Sequence, residues 1–259
     1  MTDGFSLDAL ESRLETVFVG RCAVYQASVS STMDLARQEA EGGAPDGTLV
    51  VADEQTQGQG RRGRRWVSPP GGNIYATIIL RPGAWDIRSL GMVAPLAVCE
   101  AVDAVADVRS VIKWPNDLLI EGRKVGGVLI DTRLRGDEVE FALVGVGINV
   151  NFDPSQHEEI REMATSLASE LGREVSREAL LAAFLNRFER LYLAARSDES
   201  VYEAWKARLE TLGRRVEVRL GDRIEEGIAE DVDADGNLIL RRSDDSTVVL
   251  AAGDVTLQP

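Results

Sequence analysis

Lysine is scarce in this chain: Lys113, Lys124 and Lys206 are its three, and arginine carries the remaining cationic charge. Arginine is a planar, permanently charged fork, whereas lysine is a compact and mobile ammonium group. Positions that keep lysine are therefore the first places to look for a chemically useful point charge. Lys206 falls on a predicted helix and reads as a surface residue. Lys113 opens Lys113-Trp114-Pro115-Asn116-Asp117 at a strand-to-turn boundary, where Pro115 fixes the chain and polar side chains can face a cleft. Lys124 follows Asp117 by seven residues and precedes Val125-Gly126-Gly127, a segment open to close backbone approach. Val144-Gly145-Val146-Gly147-Ile148-Asn149 is a strand with two glycines, which weakens a sheet unless another backbone or something flat, such as an adenine ring, packs there. Plainer readings stay open: Asn116-Asp117 as a simple turn, the glycines as bulges.

Gly58-Gln59-Gly60-Arg61-Arg62-Gly63 has the spelling of a dinucleotide-binding loop. That loop requires a helix opening at its third glycine to receive a pyrophosphate. Here Pro69 and Pro70 forbid a useful helix and the chain returns to a strand, so the dinucleotide reading fails. What remains is a flexible loop with Arg61, Arg62, Arg64 and Arg65, whose guanidinium groups can grip carboxylate or phosphate. Such a loop can close over a ligand and exclude water from a reactive intermediate. A solvated basic loop or an RNA-binding patch is the competing reading.

The elements that must position these residues follow from periodicity. Leu7, Leu10, Leu14 and Val17 predict a helix over 7–18 capped by Ser6, and 22–28 alternates like a strand. Ser31 caps a further helix with Asp34 in its first turn. Residues 47–55 and 73–80 read as buried strands, and 88–107 as a helix tolerating Pro95. Short strands near 110–114 and 117–120 precede paired strands over 126–134 and 138–151, then helices over 176–195 and 199–211. After Gly213 come about five short strands separated by Gly-Asp, Asp-Gly-Asn and Ser-Asp-Asp turns. The expectation is an α+β fold: a mixed sheet flanked by helices over 1–211, and a small SH3-like β-barrel over 212–259.

Composition excludes several chemistries. His157 is the sole histidine and lies in an acidic stretch, so a zinc site or a Ser-His-Asp triad is disfavoured and a surface position expected. Cys22 and Cys99 have neither disulfide-framework nor metal-ligand spacing. A net charge of −14 repels nucleic-acid phosphates. No apolar run approaches bilayer-spanning length and the start lacks a leader pattern, so no membrane contact and a cytoplasmic location are expected.

Taken together, residues 30–37, 53–80, 113–132 and 145–151 resemble the catalytic core of biotin–protein ligases, and the C-terminal strands resemble that family's tail. The resemblance implies a class II synthetase-like fold without an N-terminal DNA-binding domain. It implies activation of biotin by ATP and Mg²⁺ to biotinyl-5′-AMP, then transfer to a lysine of a biotin carboxyl carrier protein or domain. Ser31, Thr32 and Gln55 would bind biotin's ureido head, and Gln59, Gly60 and Arg61 would fold over biotin. Lys124 would bridge the biotin carboxyl and the α-phosphate, and Asp117 would orient or deprotonate the acceptor amine. Lys124, Asp117 and Arg61 are thus the catalytic set. Gly127 would line the biotin pocket, while Arg61, Arg64, Trp66, Lys113, Asn116 and Asn149 would serve ATP. No protein metal ligand is implied, and a homodimer is left open. The chain departs from the family pattern at Gln59, where many members have arginine, at Met33 in place of asparagine, and at Gln258, where some carry arginine. A lipoate–protein ligase, an RNA-binding protein and a transcriptional regulator are the rival readings.

Overall fold

The structure is a computed structural model describing residues 4–82, 87–197 and 200–258. Its main sheet is mixed. Strands β1 (Ala23–Val29), β2 (Leu49–Gln55), β3 (Ile74–Leu80), β4 (Val111–Lys113), β5 (Asp117–Ile120), β6 (Arg123–Arg135) and β7 (Glu138–Ile148) stand in the order β1-β2-β3-β7-β6-β5-β4. β1 and β2 run parallel and every other neighbouring pair antiparallel. β2 opens on the apolar run Leu49–Ala52 and β3 is apolar apart from Thr77, because both faces are covered there. Val50 and Ile79 face helix α2 (Thr32–Glu41) through a small cluster with Met33 and Ala36, while Leu49, Val51 and Ile78 join the principal core. The alternation is the period-two geometry of a strand.

Helices α3 (Leu90–Ala106) and α5 (Arg177–Arg196) pack on each other within that principal core. The helical stretch Ile87–Ala106 is, by length and composition, apolar enough to cross a bilayer, contrary to the sequence expectation; twelve residues of α3 are buried in the protein instead. Two short helices, α1 (Leu7–Glu11) and α4 (Leu167–Leu171), and α6 (Tyr202–Lys206) complete the main unit. The helix expected over 7–18 stops at Glu11 because the N–H groups of Val17, Phe18 and Val19 converge on the buried carboxylate of Glu189, at 2.6, 2.9 and 2.8 Å. Three charge-assisted bonds outweigh the helix there, leaving Val17 83% exposed. The helix expected over 199–211, whose first residue lies outside the described residues, shrinks to α6. Backbone at Arg208 and Glu210 bonds Ile112 instead, extending the edge of the main sheet. Nothing in the periodicity announced α4, which Ser166 caps.

The C-terminal strands β8 (Arg215–Leu220), β9 (Arg223–Val232), β10 (Leu238–Arg241), β11 (Thr247–Leu250) and β12 (Asp254–Leu257) form an antiparallel sheet in the order β11-β10-β9-β8-β12. Val216, Val218, Leu238 and Val255 belong to the same apolar cluster as α3 and the main sheet. Trp114, 1% exposed, is the joint: its indole N–H donates to Gly236 O at 2.9 Å and its backbone N–H to Thr211 Oγ1 at 2.8 Å. His157 is half-buried, its ring 5.1 Å from that of Phe152, rather than free on the surface. Cys22 is exposed and Cys99 buried, and burial pushes the Cys99 thiol up to about 11.

Candidate active site

One cleft runs from the start of α2, across the ends of β5, β6 and β7, to the start of β12. At its first end, Ser31 is the N-cap of α2 and its Oγ accepts from Met33 N–H. A serine cap is worth about 1 kcal/mol of helix stability, and its own O–H remains available to donate. Thr32 is fully committed: its hydroxyl accepts from Thr77 and donates to Gln55 Oε1, which also accepts from Thr32 N–H at 2.9 Å. Gln55 Nε2 donates one hydrogen to Ser68 Oγ, leaving the second free. Thr32 therefore orients Gln55, and Ser31 and Gln55 hold the spare donors. Two residues upstream Asp53 anchors β2 to the protein interior through Arg177 and Tyr25 at 2.6 and 2.7 Å.

At the other end stand the lysines. Lys124 Nζ lies 2.5 Å from Asp117 Oδ1, and Lys113 Nζ 3.3 Å from Oδ2. Burial pushes the Asp117 carboxyl up, but the two ammonium groups outweigh it and hold the pKa below the ordinary carboxylate value. In a regular strand Lys124 and Gly127, three apart, would point to opposite faces. The β5–β6 register slips between Leu118 and Leu119, so Asp117 pairs with Gly127 while Leu119 pairs with Lys124. That bulge turns Lys124 onto the face of Gly127 and Asp117. A Cβ on Gly127 would meet Lys124 Cε at 3.4 Å, which shows how closely the lysine crosses it.

The middle of the cleft is apolar, with Met33, Leu129 and Val146 beside Trp66. The flat group expected against the glycine strand is Trp66 itself: a Cβ on Gly147 would lie 2.6 Å from its Cε2. Lys124 Nζ sits 5.2 Å from the indole centroid, and the buried Trp66 Nε1–H finds no acceptor among the described residues.

The glycine loop is a small hairpin rather than a free cover. Gly60 N–H donates to Arg64 O and Trp66 N–H to Gly58 O, at 2.7 and 2.9 Å, with the turn made by Arg62 and Gly63 at φ 55° and 74°. Gln59 Nε2 donates to both oxygens of Asp34 at 3.0 Å. Arg61 donates to Asn116 Oδ1 and Gly253 O, while Arg62 and Arg64 reach Asp254. Burial, helped by the neighbouring Arg62 and Arg64, pulls the Arg61 guanidinium below its ordinary pKa.

Ser31, Thr32, Gln55, Gln59, Gly60, Arg61, Arg64, Trp66, Lys113, Asn116, Asp117, Lys124 and Gly127 all line this cleft. Asn149 does not. It lies buried behind the wall, its amide donating to Thr165 O at 2.9 Å, so in this geometry it braces the backbone of Lys124 and Thr165. Sequence reasoning missed Leu129, Gly253, Asp254 and Val255. Asp254 and Val255 arrive from a different sheet and Gly253 from the loop before it, which no local pattern discloses. Among the described residues five cationic side chains line the cleft against two carboxylates, Asp117 and Asp254. The resulting gradient, neutral donors to apolar walls to cations, suits a ligand with a polar uncharged head, an aliphatic body and an anionic tail.

Known proteins share this plan. The profile of the biotin/lipoate A/B protein ligase family matches residues 25–149, and that of the biotin protein ligase C terminal domain matches residues 211–257. The bifunctional ligase/repressor BirA of Bacillus subtilis is 37% identical over 182 residues, 69% of this chain but 56% of its own length, so the chain spans little more than half of that relative. The biotin–[acetyl-CoA-carboxylase] ligase of Paracoccus denitrificans is 37% identical over 212 residues, 78% of this chain and 88% of that protein. Its Mycobacterium tuberculosis counterpart is 32% identical over 234 residues, 87% and 85% of the two chains. The biotin protein ligase from Aquifex aeolicus in complex with biotin and ATP superposes with a TM-score of 0.78 at 28% identity, over 92% of this chain and 99% of that one. Identity above 30% across more than four-fifths of the Paracoccus and Mycobacterium enzymes leaves one conclusion: the chain belongs to the biotin–protein ligase family.

Proposed function

We propose that the chain activates biotin with ATP as biotinyl-5′-AMP and transfers the biotinyl group to a lysine of a biotin carboxyl carrier protein or domain. The observation that carries this reading is the polarity gradient of the cleft, from Ser31 and Gln55 to Lys124 and Arg61. Biotin has the matching order: a neutral ureido head, an apolar body and a carboxylate. The spare Ser31 O–H and Gln55 N–H would meet the ureido carbonyl, and Trp66, Met33 and Leu129 would cover the body.

In the first step a biotin carboxylate oxygen attacks the α-phosphorus, the bond to the β-phosphate oxygen breaks, and pyrophosphate leaves with the electron pair. Negative charge builds on the α-phosphate oxygens, where Lys124 offers a fixed ammonium. Asp117 holds that ammonium in place, and Lys113 and Arg61 sit to receive the departing phosphates. In the second step the acceptor's neutral amine attacks the acyl carbon, AMP leaves, and the amine proton passes to solvent. Asp117, paired with both Lys124 and Lys113, orients those cations. Mg²⁺ would accompany ATP, screening the charge of the triphosphate.

Biotin-dependent ATP–pyrophosphate exchange, followed by transfer of radiolabelled biotin to an acceptor domain, tests the reading. Transfer of lipoate but not biotin would overturn it, because a dithiolane head has no use for the Ser31 and Gln55 donors.

A further inference from the structure

Asp254 stands where the C-terminal sheet meets the glycine hairpin, and the two chemical steps above make no use of it. Its Oδ2 receives two guanidinium groups of the loop, Arg64 Nη2 at 2.8 Å and Arg62 Nη1 at 3.4 Å. Arg62 has a second hold, donating to Arg219 O at 2.7 Å. The Arg64 side chain makes no other hydrogen bond or ion pair among the described residues and is 67% exposed. Both Arg64 and Asp254 line the cationic end of the cleft.

We propose that Asp254 is an internal counter-ion of the loop: it holds Arg64 where an oligophosphate will lie, and surrenders it when the phosphates arrive. Arg62 stays tied to the C-terminal module throughout, so the hairpin remains seated during the exchange. The inference rests on the reading that a nucleoside triphosphate enters this cleft. An ion pair whose arginine stands mostly in solvent is worth little and is cheaply broken, whereas a guanidinium gripping phosphate through two parallel bonds is a strong contact. A buried pair would not exchange in this way, because parting it would strand a desolvated charge. Asp254 is thus a positioning residue that competes with the anion it prepares for.

The test uses the full chain and inorganic pyrophosphate, with binding measured by calorimetry. Asp254→Asn keeps the shape and removes the competing charge, and is expected to tighten pyrophosphate binding at least threefold. Asp254→Glu should restore the wild-type affinity. In an Arg64→Ala background Asp254→Asn should have no effect, whereas a general field effect or a merely structural role would persist there. Unchanged or weaker binding in Asp254→Asn, an undiminished gain in the Arg64→Ala background, or no pyrophosphate binding by the wild type would each overturn the proposal. A wild-type chain that binds pyrophosphate yet shows no biotin-dependent exchange would instead overturn the biotin reading alone.

Discussion

Lys124, Asp117 and Gln59 each owe their character to a partner. Lys124 is clamped on Asp117 at 2.5 Å, so its ammonium enters the cleft already positioned. Lys124→Ala is expected to lower biotin-dependent pyrophosphate exchange by about 10²- to 10³-fold, as when a preorganised transition-state donor is lost. The melting temperature should fall only slightly, because Lys113 stays paired with Asp117; near wild-type exchange would show that another cation carries the step. For Asp117, burial opposes ionisation, but Lys124 and Lys113 favour it more, depressing its folded-state pKa. A depressed value means that the clamp's contribution is present above the ordinary carboxylate pKa and is lost only as pH falls through the lowered one. Asp117→Asn should therefore slow transfer by about tenfold to a hundredfold, the scale of a hydrogen bond to a charged group. Rate should still rise toward alkaline pH in Asp117→Asn, since that limb belongs to the acceptor amine; a loss beyond about a thousandfold would exceed that of a positioning bond and make Asp117 the base. Gln59 meets Asp34 as a neutral amide. Gln59→Arg would place a full charge on that carboxylate and slow escape of the adenylate by a few-fold, read as less labelling of bystander proteins.

At the scale of elements, the glycine strand and the hairpin fit each other through Trp66. Gly147→Ala would drive a methyl into the indole, which the structure places 2.6 Å from an ideal Cβ. A destabilisation of about 1–3 kcal/mol and a shifted tryptophan emission are expected; an unchanged melting curve and spectrum would mean the ring is not packed there. The strands and the caps of this region were legible beforehand, because alternation and Ser31 are local signals. The bulge that turns Lys124 toward Gly127 was not, since a three-residue spacing alone puts the two on opposite faces. The hairpin's tethers were equally hidden: arginines in a glycine loop announce charge, but not Asn116, Gly253 or Asp254 as their partners. Nor could Asn149 be separated from the wall it braces, because its commitment to Thr165 O depends on a segment with no periodicity of its own.

The whole molecule is joined by a residue of the Lys113–Asp117 segment that lines the cleft. Trp114 places its ring in a core that reaches from α3 to the C-terminal strands and donates to Gly236 O. Thermal unfolding should accordingly be one transition. Trp114→Phe, which keeps most of the ring but loses the N–H, should cost about 1 kcal/mol. It should lower the melting temperature by about 2–4 °C without splitting the curve. Two separated transitions in the wild type would show that the sheets melt independently.

The Arg61 contact with Gly253 spans 192 positions of sequence, and those of Arg62 and Arg64 with Asp254 are about as long. On a ribosome the hairpin leaves the tunnel roughly ten to forty seconds before the residues that will fasten it, at a synthesis rate of about 5–20 residues per second. During that interval the arginines have nothing from the C-terminal sheet to hold. The fastening is therefore a late event of biogenesis, and a chain stalled before Gly253 would lack the latch of its arginine hairpin.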